Sequence, residues 1–409
     1  MSAMTLLLAL LVVAYGGSML MGGRTLRGHG LPSGSEWLVL GFVLGPLLLG
    51  VVSQSALAAL EPVAGIATAW LALLAGLECG GVDAPKLRVG PWLAGVVCAL
   101  ICAALVGLAL FVLTTRVLHW PVMQAASLAA ALGLAGSETA RQAARWAVER
   151  SAAHGPLPRL LEQLAAADDL VPYLGLAWLF AWTPGQVASV GLGAAQGFAL
   201  TLGLGALLGL TCAMLLRTTR SPSDGFGVVL GAALLGTGIA FRLWLCPLTV
   251  MFVMGVLLAV AGRRATRLHA LLVSTEPAVA LPTLLLAGAL VRPPLSWSLL
   301  ALCVVTVLSR GLVRAALGWL LASASGAPRA ARAPFALGSS ATGALTPIIG
   351  LACAFRFRGS LGDSILAVCA CVTLVGEIVG PAALRRALAV GVPADALPDE
   401  LATLPGAQP

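Results

Sequence analysis

Thirteen apolar stretches, most of them long enough to cross a membrane, run through this chain of 409 residues. A helix needs about 20 apolar residues to span the hydrocarbon layer of a bilayer. The chain is 59% hydrophobic and only 10% charged, whereas soluble domains carry about 25% charged residues. We therefore predict an all-α polytopic membrane protein with about 13 transmembrane helices, near 3–22, 35–52, 57–77, 90–115, 122–140, 160–182, 185–216, 226–241, 245–261, 276–291, 295–322, 333–355 and 361–384.

Basic residues are distributed unevenly between the connecting loops. The odd-numbered loops and the C-terminus carry 17 of the 24 Lys and Arg residues, Arg141 and Arg145 among them, and the even-numbered loops carry 5. Since basic loops stay in the cytoplasm, the N-terminus is expected outside and the C-terminus inside. Topology thus explains the net charge of +8, and we expect a lipid bilayer as partner and no nucleic acid. Nothing in the sequence calls for a cofactor.

Polar residues interrupt two apolar stretches at corresponding positions. The fifth stretch contains LGLAGSETARQ (132–142) and the twelfth contains ALGSSATGALTP (336–347). Such paired interruptions indicate discontinuous helices that cross at a binding site, in a chain built from two inverted repeats. Gly and Ser also allow close helix packing, but the matched pair favours the crossing. The hydroxyls that this crossing would offer belong to Ser137, Thr139, Ser339, Ser340 and Thr342.

Two adjacent aspartates, Asp168 and Asp169, lie within the sixth stretch. Carboxylates inside a membrane are costly and usually mark an ion or proton path. Successive helical residues point about 100° apart, so the two cannot both face one partner. Arg310 lies at a similar depth in the eleventh stretch, one turn from Arg314. An arginine cannot lose its proton and must pair with a carboxylate or with carbonyls. We assign Arg310 to Asp168, with Arg314 as the alternative.

This assignment leaves Asp169 as the group that binds a transported ion. Burial raises the pKa of a carboxyl group and a nearby cation lowers it, so a carboxylate held between them exchanges a proton for a metal cation near neutral pH. The alternative is a buried structural ion pair, which explains one aspartate but not two. Glu138, in the broken fifth stretch, is a second cation ligand, a partner for Arg314, or a carboxylate that accepts from backbone N–H groups freed by the break.

These residues resemble the monovalent cation:proton antiporters, in particular the cation:proton antiporter-2 branch with its sodium/proton and potassium-efflux members. EWLVLGFVLGPLLLGVV (36–52) is similar to a Gly-Pro-containing core helix of that family, and the segment 60–78 resembles one that ends in Gly-Leu-Glu. SETA (137–140) lies where the family has a Ser-Ser-Thr-Ala crossover, followed by the aspartate pair. MFVMGVLLA (251–259) and the segment 276–291 resemble the paired helices of the second half.

The resemblance implies a homodimer that exchanges Na⁺ or K⁺ for H⁺ by elevator-like alternating access. Asp169 would carry cation and proton, and Asp168 would be salt-bridged to the basic residue of the eleventh span. The implied segments are a scaffold (1–88 and 219–292), a mobile core (89–183 and 293–390), a linker helix (184–218) and a polar cytoplasmic tail (391–409). The implied location is the bacterial inner membrane, and no nucleotide-binding regulatory domain is expected.

Three departures from the family pattern affect these expectations. Arg310 or Arg314 stands where the family usually has Lys, and a permanently charged arginine cannot carry a proton. Glu138 replaces a small hydroxyl residue, and GSSATG (338–343) replaces a basic Arg-Gly turn.

Other classes of protein remain alternatives. A transport-inactive sensor or scaffold relative would keep the fold without the exchange, and a sodium-coupled symporter of organic anions could share crossed helices. An enzyme is not expected, because the four histidines fall in or beside loops and the sequence has no HExxH or GxSxG motif.

Overall fold

The computed structural model describes residues 33–80, 89–151, 156–183, 193–219, 221–261, 265–292 and 296–390, with a few positions between 5 and 16. Within those ranges the regular elements are helices and no strand occurs. In the first half they are α1 (Ser35–Leu44), α2 (Gln54–Cys79), α3 (Val89–Val112), α4 (Val122–Ala135), α5 (Arg141–Ser151), α6 (Pro156–Ala167), α7 (Leu170–Trp182) and α8 (Ala194–Leu216). In the second half they are α9 (Pro222–Arg242), α10 (Pro247–Ala261), α11 (Ala265–Ser274), α12 (Glu276–Leu290), α13 (Trp297–Ala324), α14 (Arg329–Gly338), α15 (Leu345–Arg356) and α16 (Ser360–Ala389).

Each predicted span from 35–52 onward contains at least one helix, although 35–52 is helical only as far as Leu44 and 185–192 lie outside the described residues. Within the described residues, eight helical stretches are long and apolar enough to cross a membrane. Two of them combine neighbouring helices, α6 with α7 (Leu157–Trp182) and α11 with α12 (Leu268–Leu290), and four more helices are apolar but shorter. Two of the shorter ones, α4 and α15, are halves of the interrupted fifth and twelfth stretches. The first predicted span (3–22) and the predicted tail (391–409) lie outside the described residues.

Large apolar side chains cover the outer faces of several long helices. Leu108 on α3 is 58% exposed, Leu207 on α8 is 61% exposed and Leu312 on α13 is 72% exposed. A soluble protein rarely shows such continuous apolar surface, whereas lipid tails are as apolar as leucine and accept it. The chain is therefore an integral membrane protein.

The helices pack in two groups. The scaffold group contains α1, α2 and α9–α12; within it α2 packs on α10 and α1 packs on α12. The core group contains α3–α7 and α13–α16; within it α3 packs on α4, α6 and α13, and α16 packs on α5, α14 and α15. The long α8 contacts both α7 and α10, so it joins the two groups.

Two helix crossings in the scaffold group repeat the same geometry. A Cβ on Gly41 of α1 would meet the carbonyl oxygen of Leu285 at 2.0 Å, and one on Gly288 of α12 would meet that of Leu38 at 1.9 Å. At the crossing of α2 and α10, Gly76 and Gly255 repeat this arrangement, with distances of 2.1 and 2.2 Å to the carbonyl oxygens of Phe252 and Leu73. In all four the oxygen belongs to the residue three positions before the partner glycine, so both crossings have the same local symmetry, as two inverted repeats would require.

The two interrupted stretches cross each other in the core group. Helix α4 ends at Ala135 and α5 begins at Arg141, while α14 ends at Gly338 and α15 begins at Leu345. The extended segments between them meet, because the Ala140 N–H donates to the Ala341 carbonyl across 3.2 Å. The predicted pair of crossed discontinuous helices is confirmed.

The close crossings predict that alanine is harmful where a helix interior would normally favour it. Gly→Ala in a helix usually stabilises by about 1 kcal/mol. At Gly255 or Gly288 the new methyl would overlap a backbone oxygen and force the helices apart, so the cost should reach or exceed about 3 kcal/mol. Thermal unfolding of the purified protein in detergent measures the effect.

Gly238→Ala on α9 is the matched control, since nothing lies within 4 Å of the added methyl. Unchanged melting temperatures for Gly255→Ala and Gly288→Ala would contradict the close packing of the two crossings.

Candidate functional site

Arg310 of α13 holds the two helix breaks together. Its Nε donates to the carbonyl of Gly136 at 3.0 Å and its Nη2 to those of Glu138 and Ala341 at 2.9 and 3.2 Å. Its Nη1 donates to the carbonyl of Ser340. These carbonyls lie past the ends of the helices at the two breaks, and in a membrane such groups need partners inside the protein. The guanidinium also places its positive charge where α4 and α14 end, at the negative ends of their dipoles.

Glu138 binds the backbone N–H groups at the start of α15, as Arg310 binds the carbonyls. Its Oε1 accepts from the N–H groups of Gly343 and Thr346 at 2.9 and 3.1 Å and from the Thr346 hydroxyl at 2.7 Å. A carboxylate is favourable at the positive N-terminal end of a helix. The sequence left three roles open for Glu138. In the structure its carboxylate accepts from freed backbone N–H groups, and it does not pair with Arg314.

The aspartate pair forms a short turn between α6 and α7. The backbone stays helical through it, because the Asp168 N–H donates to the Leu164 carbonyl and the Tyr173 N–H to the Asp169 carbonyl. The predicted span 160–182 is therefore one helical stretch, Leu157–Trp182. The two aspartate side chains go to different partners, as their angular separation requires. Both are almost fully buried, with side-chain exposures of 1% and 4%.

The partner of Asp168 is Arg314, and the assignment of Arg310 to Asp168 is wrong. Both Nη1 and Nη2 of Arg314 lie 3.2 Å from Asp168 Oδ2, and Nη1 also donates to the Thr139 hydroxyl at 2.8 Å. Arg310 is instead satisfied by carbonyls alone, which was the other way to pair a guanidinium. The second oxygen of Asp168, Oδ1, is buried without a hydrogen-bond partner.

Asp169 is held by an arginine that the sequence had suggested was in a loop. Arg141, the first residue of α5, places Nη2 2.6 Å from Asp169 Oδ2 and Nη1 2.6 Å from Oε2 of Glu78 at the end of α2. Its side chain is only 16% exposed. Counting Arg141 as a loop residue was therefore wrong: its stem runs inward and its charge lies beside the transport aspartate predicted from the sequence. Arg145, one turn further on, reaches only Glu78.

Asp169 faces a small cavity between the two helix groups. The cavity measures about 70 Å³, enough for a few water molecules. Four carboxylate residues line it: Glu78 on α2, Glu138 at the first helix break, Asp169 in the α6–α7 turn and Glu276 on α12. Glu276 Oε1 accepts from the Gln142 side-chain amide at 2.7 Å. Carboxylates facing water-sized space inside a membrane protein are the usual setting of an ion pathway.

The remaining predicted residues divide between this cavity and the helix breaks. Glu138 and Thr139 line the cavity beside Asp169, and a smaller cavity on the other side of the break is lined by Asp168, Arg314, Ser339 and again Thr139. The other hydroxyls donate to backbone carbonyls: Ser137 to Leu134, Ser339 to Arg314 and Ala336, Ser340 to Leu337, and Thr342 to Val372 and Thr373. These four therefore stabilise the breaks and do not line the cavity at Asp169.

Sequence reasoning missed Arg141, Glu78 and Glu276 as members of the site. One signal was present, since Arg141 immediately follows the interruption SETA and therefore had to start a new helix at the crossing. Glu78 and Glu276 lie at predicted span ends, where charged residues are normally solvated. Only the way that α2 and α12 pack against the core group brings them to Asp169.

The fold is similar to that of a known transporter. A structure of the sodium proton antiporter MjNhaP1 from Methanocaldococcus jannaschii at pH 8 superposes with a TM-score of 0.69 at 13% sequence identity, over 95% of this chain and 99% of that chain. An electron-microscopy structure of the same antiporter gives a TM-score of 0.66 at 16% identity, over 95% and 98% of the two chains. No protein-family model and no curated protein matches the chain. The chain thus has a sodium/proton antiporter fold.

The pairing of Arg314 with Asp168 predicts a specific pattern of rescue. Arg314→Gln leaves a buried carboxylate without its cation, which should cost about 3–5 kcal/mol. Asp168→Asn added to Arg314→Gln should recover much of that loss, because it removes the uncompensated charge. Melting temperatures of the two single variants and the double variant in detergent measure the coupling.

Arg310→Gln is the matched comparison, one helical turn away. Because Arg310 bonds carbonyls and not the Asp168 carboxylate, Asp168→Asn should rescue Arg310→Gln much less than it rescues Arg314→Gln. Rescue of Arg310→Gln and not of Arg314→Gln would restore the pairing assigned from the sequence.

Proposed function

We propose that this protein is a secondary active transporter that exchanges a monovalent cation, Na⁺ or K⁺, for H⁺, with Asp169 as the shared binding site. The observation that carries the proposal is the position of Asp169: a buried carboxylate beside the crossing of two broken helices, facing a cavity of about 70 Å³. The fold shared with a sodium proton antiporter supports it.

Exchange follows from competition for one carboxylate. Asp169 carries either a proton or a metal cation, and the electrostatic repulsion between the two makes them exclusive. The oxygen atoms of the Asp169 carboxylate at the cavity, together with water, are ligands that suit a hard monovalent cation. Asp168 is held by Arg314 and takes no ion. Since Arg310 and Arg314 keep their charge, neither carries a proton.

Access alternates as the core group moves against the scaffold group in an elevator-like motion. The cavity at Asp169 opens between α2 and α12 of the scaffold group and α5 and α15 of the core group. A further cavity, of about 220 Å³, lies between α2 and α15. It includes Phe180, which lies at the other end of α7 from Asp169. Spaces at both ends of the same boundary are what a sliding movement of one group requires.

Several further assignments belong to this proposal. The scaffold group forms a homodimer, the N-terminus is outside and the C-terminus is in the cytoplasm of a bacterial inner membrane, and the cavity at Asp169 opens to the cytoplasm. The adjacent aspartates support placement in the cation:proton antiporter-2 branch. The transported ions are the ligands, and no cofactor takes part.

A transport-inactive relative is the second candidate function, and one observation favours it. Arg141 already occupies Asp169 with a contact of 2.6 Å, so a metal cation has to displace it. If that contact never opens, the buried charges are structural.

Asp169→Asn should abolish exchange. In proteoliposomes with an imposed pH gradient, addition of Na⁺, K⁺ or Li⁺ to the wild type should dissipate the gradient, as reported by a pH-sensitive dye. An amide at position 169 cannot exchange a proton for a cation, so its signal should fall to the level of empty liposomes.

Asp363→Asn is the matched control, a carboxylate in the first turn of α16 that does not line either cavity at the aspartate pair. It should retain wild-type exchange. A folded wild type that responds to none of the cations between about pH 6 and 9 would favour the transport-inactive candidate.

A further inference from the structure

The Arg141 contact joins the cation site to the boundary between the two helix groups. Asp169 and Arg141 belong to the core group, whereas Glu78 is the penultimate residue of α2 in the scaffold group. A single guanidinium therefore bonds the proposed transport carboxylate with one nitrogen and the other group with the second, both at 2.6 Å. Other polar contacts cross the boundary, such as Gln142 to Glu276 at 2.7 Å, but they do not involve Asp169.

The guanidinium is planar and rigid, so its two contacts are linked. Nη1 and Nη2 keep their fixed fork geometry. Both contacts therefore form together only when the Asp169 carboxylate carries neither a proton nor a metal cation. A metal cation on Asp169 would repel the guanidinium, and a proton would remove the attraction that orients it. In both cases Arg141 loses its contact with Asp169, which orients Nη1 toward Glu78.

An exchanger needs a device of this kind. If the core returns with an empty site, each cycle carries an ion in one direction only, and the protein leaks protons or cations instead of exchanging them. A contact that fastens the empty site to the scaffold prevents that return, and the bridge from Asp169 through Arg141 to Glu78 is such a contact.

We propose that Arg141 couples loading to movement: its bridge to Glu78 holds the core against the scaffold while Asp169 is empty, and a proton or cation on Asp169 releases the bridge. This inference rests on the proposed exchange function. Arg141 is at the same time a tethered competitor for the cation site, since no metal cation binds Asp169 while the guanidinium does.

The other charged and titratable groups around the bridge come from four elements. Glu138 precedes α5 and Arg145 lies on it, Tyr173 is on α7, Glu276 begins α12 and His269 is on α11. Arg145 contacts Glu78 at 3.0 Å but not Asp169, and its side chain is 51% exposed. It is therefore the natural control, because it shares the scaffold partner of Arg141 without touching the cation site.

The test compares leak with exchange in proteoliposomes of wild type, Arg141→Gln, Glu78→Gln and Arg145→Gln. Leak is the decay of an imposed pH gradient when choline is the only cation present, and exchange is measured with Na⁺ or K⁺ added. Arg141→Gln and Glu78→Gln should leak about tenfold faster than wild type, which corresponds to about 1.4 kcal/mol of lost barrier. The pH gradient in Arg145→Gln liposomes should decay no faster than in wild type.

A second readout separates coupling from general damage. Arg141→Gln removes the tethered competitor, so its apparent KM for the cation should fall several-fold at a given pH. Glu78→Gln keeps Arg141 beside Asp169, so its KM should not fall although its leak rises. Arg141→Lys keeps a cation at the position and should leak less than Arg141→Gln.

The outcomes distinguish the bridge from the exchange itself. If wild type exchanges and the folded variants at 141 and 78 remain as tight as Arg145→Gln, the bridge is overturned while the proposed function stands. If wild type exchanges no cation, the proposed function fails and the inference with it. A rise in leak confined to the Arg141 and Glu78 variants, with KM lowered only in Arg141→Gln, is the result we expect.

Discussion

The structure depends on how it satisfies the backbone where two helices break inside the membrane. Unpaired carbonyls and N–H groups are expensive there, and two charged side chains meet the need. Arg310 collects four carbonyls from both breaks, and the Glu138 carboxylate accepts from the start of α15. With the breaks fixed in this way, the rest of the site follows: Thr139 meets Arg314, and Arg141 begins a new helix within reach of Asp169.

Charge at the site is balanced by pairs that serve different purposes. The pair of Asp168 and Arg314 lies within the core group and is almost entirely buried, with side-chain exposures of 1% and 6%; breaking it would leave an uncompensated charge. The pair of Asp169 and Arg141 borders a cavity and continues to Glu78 in the scaffold group. In the proposed function, two adjacent aspartates thus provide one fixed ion pair and one whose partner the transported ion displaces.

Much of the fold could be predicted from the sequence, because hydropathy and paired polar interruptions act locally. The spans from 35–52 onward, the two broken stretches and their crossing all follow from such patterns. The partners of charged residues could not be predicted, because they depend on how separate helices pack. Arg310 and Arg314 are one turn apart, and only the packing of α13 against the breaks decides that Arg314 meets Asp168. Arg141 was wrongly assigned to a loop for the same reason. An arginine at the end of a span is expected to be solvated, and only the packing of α2 beside it shows that it is mostly buried.

The central claim is that one carboxylate, Asp169, binds either a proton or a monovalent cation. The most direct measurement is the apparent KM for the cation as a function of pH in proteoliposomes, together with the maximal rate. Competition for one site predicts that KM rises about tenfold for each unit that the pH falls on the acid side, by linkage between the two ions, while the maximal rate stays constant. A KM that is independent of pH over this range, with the maximal rate alone changing, would show that proton and cation bind at separate sites and would contradict the shared carboxylate.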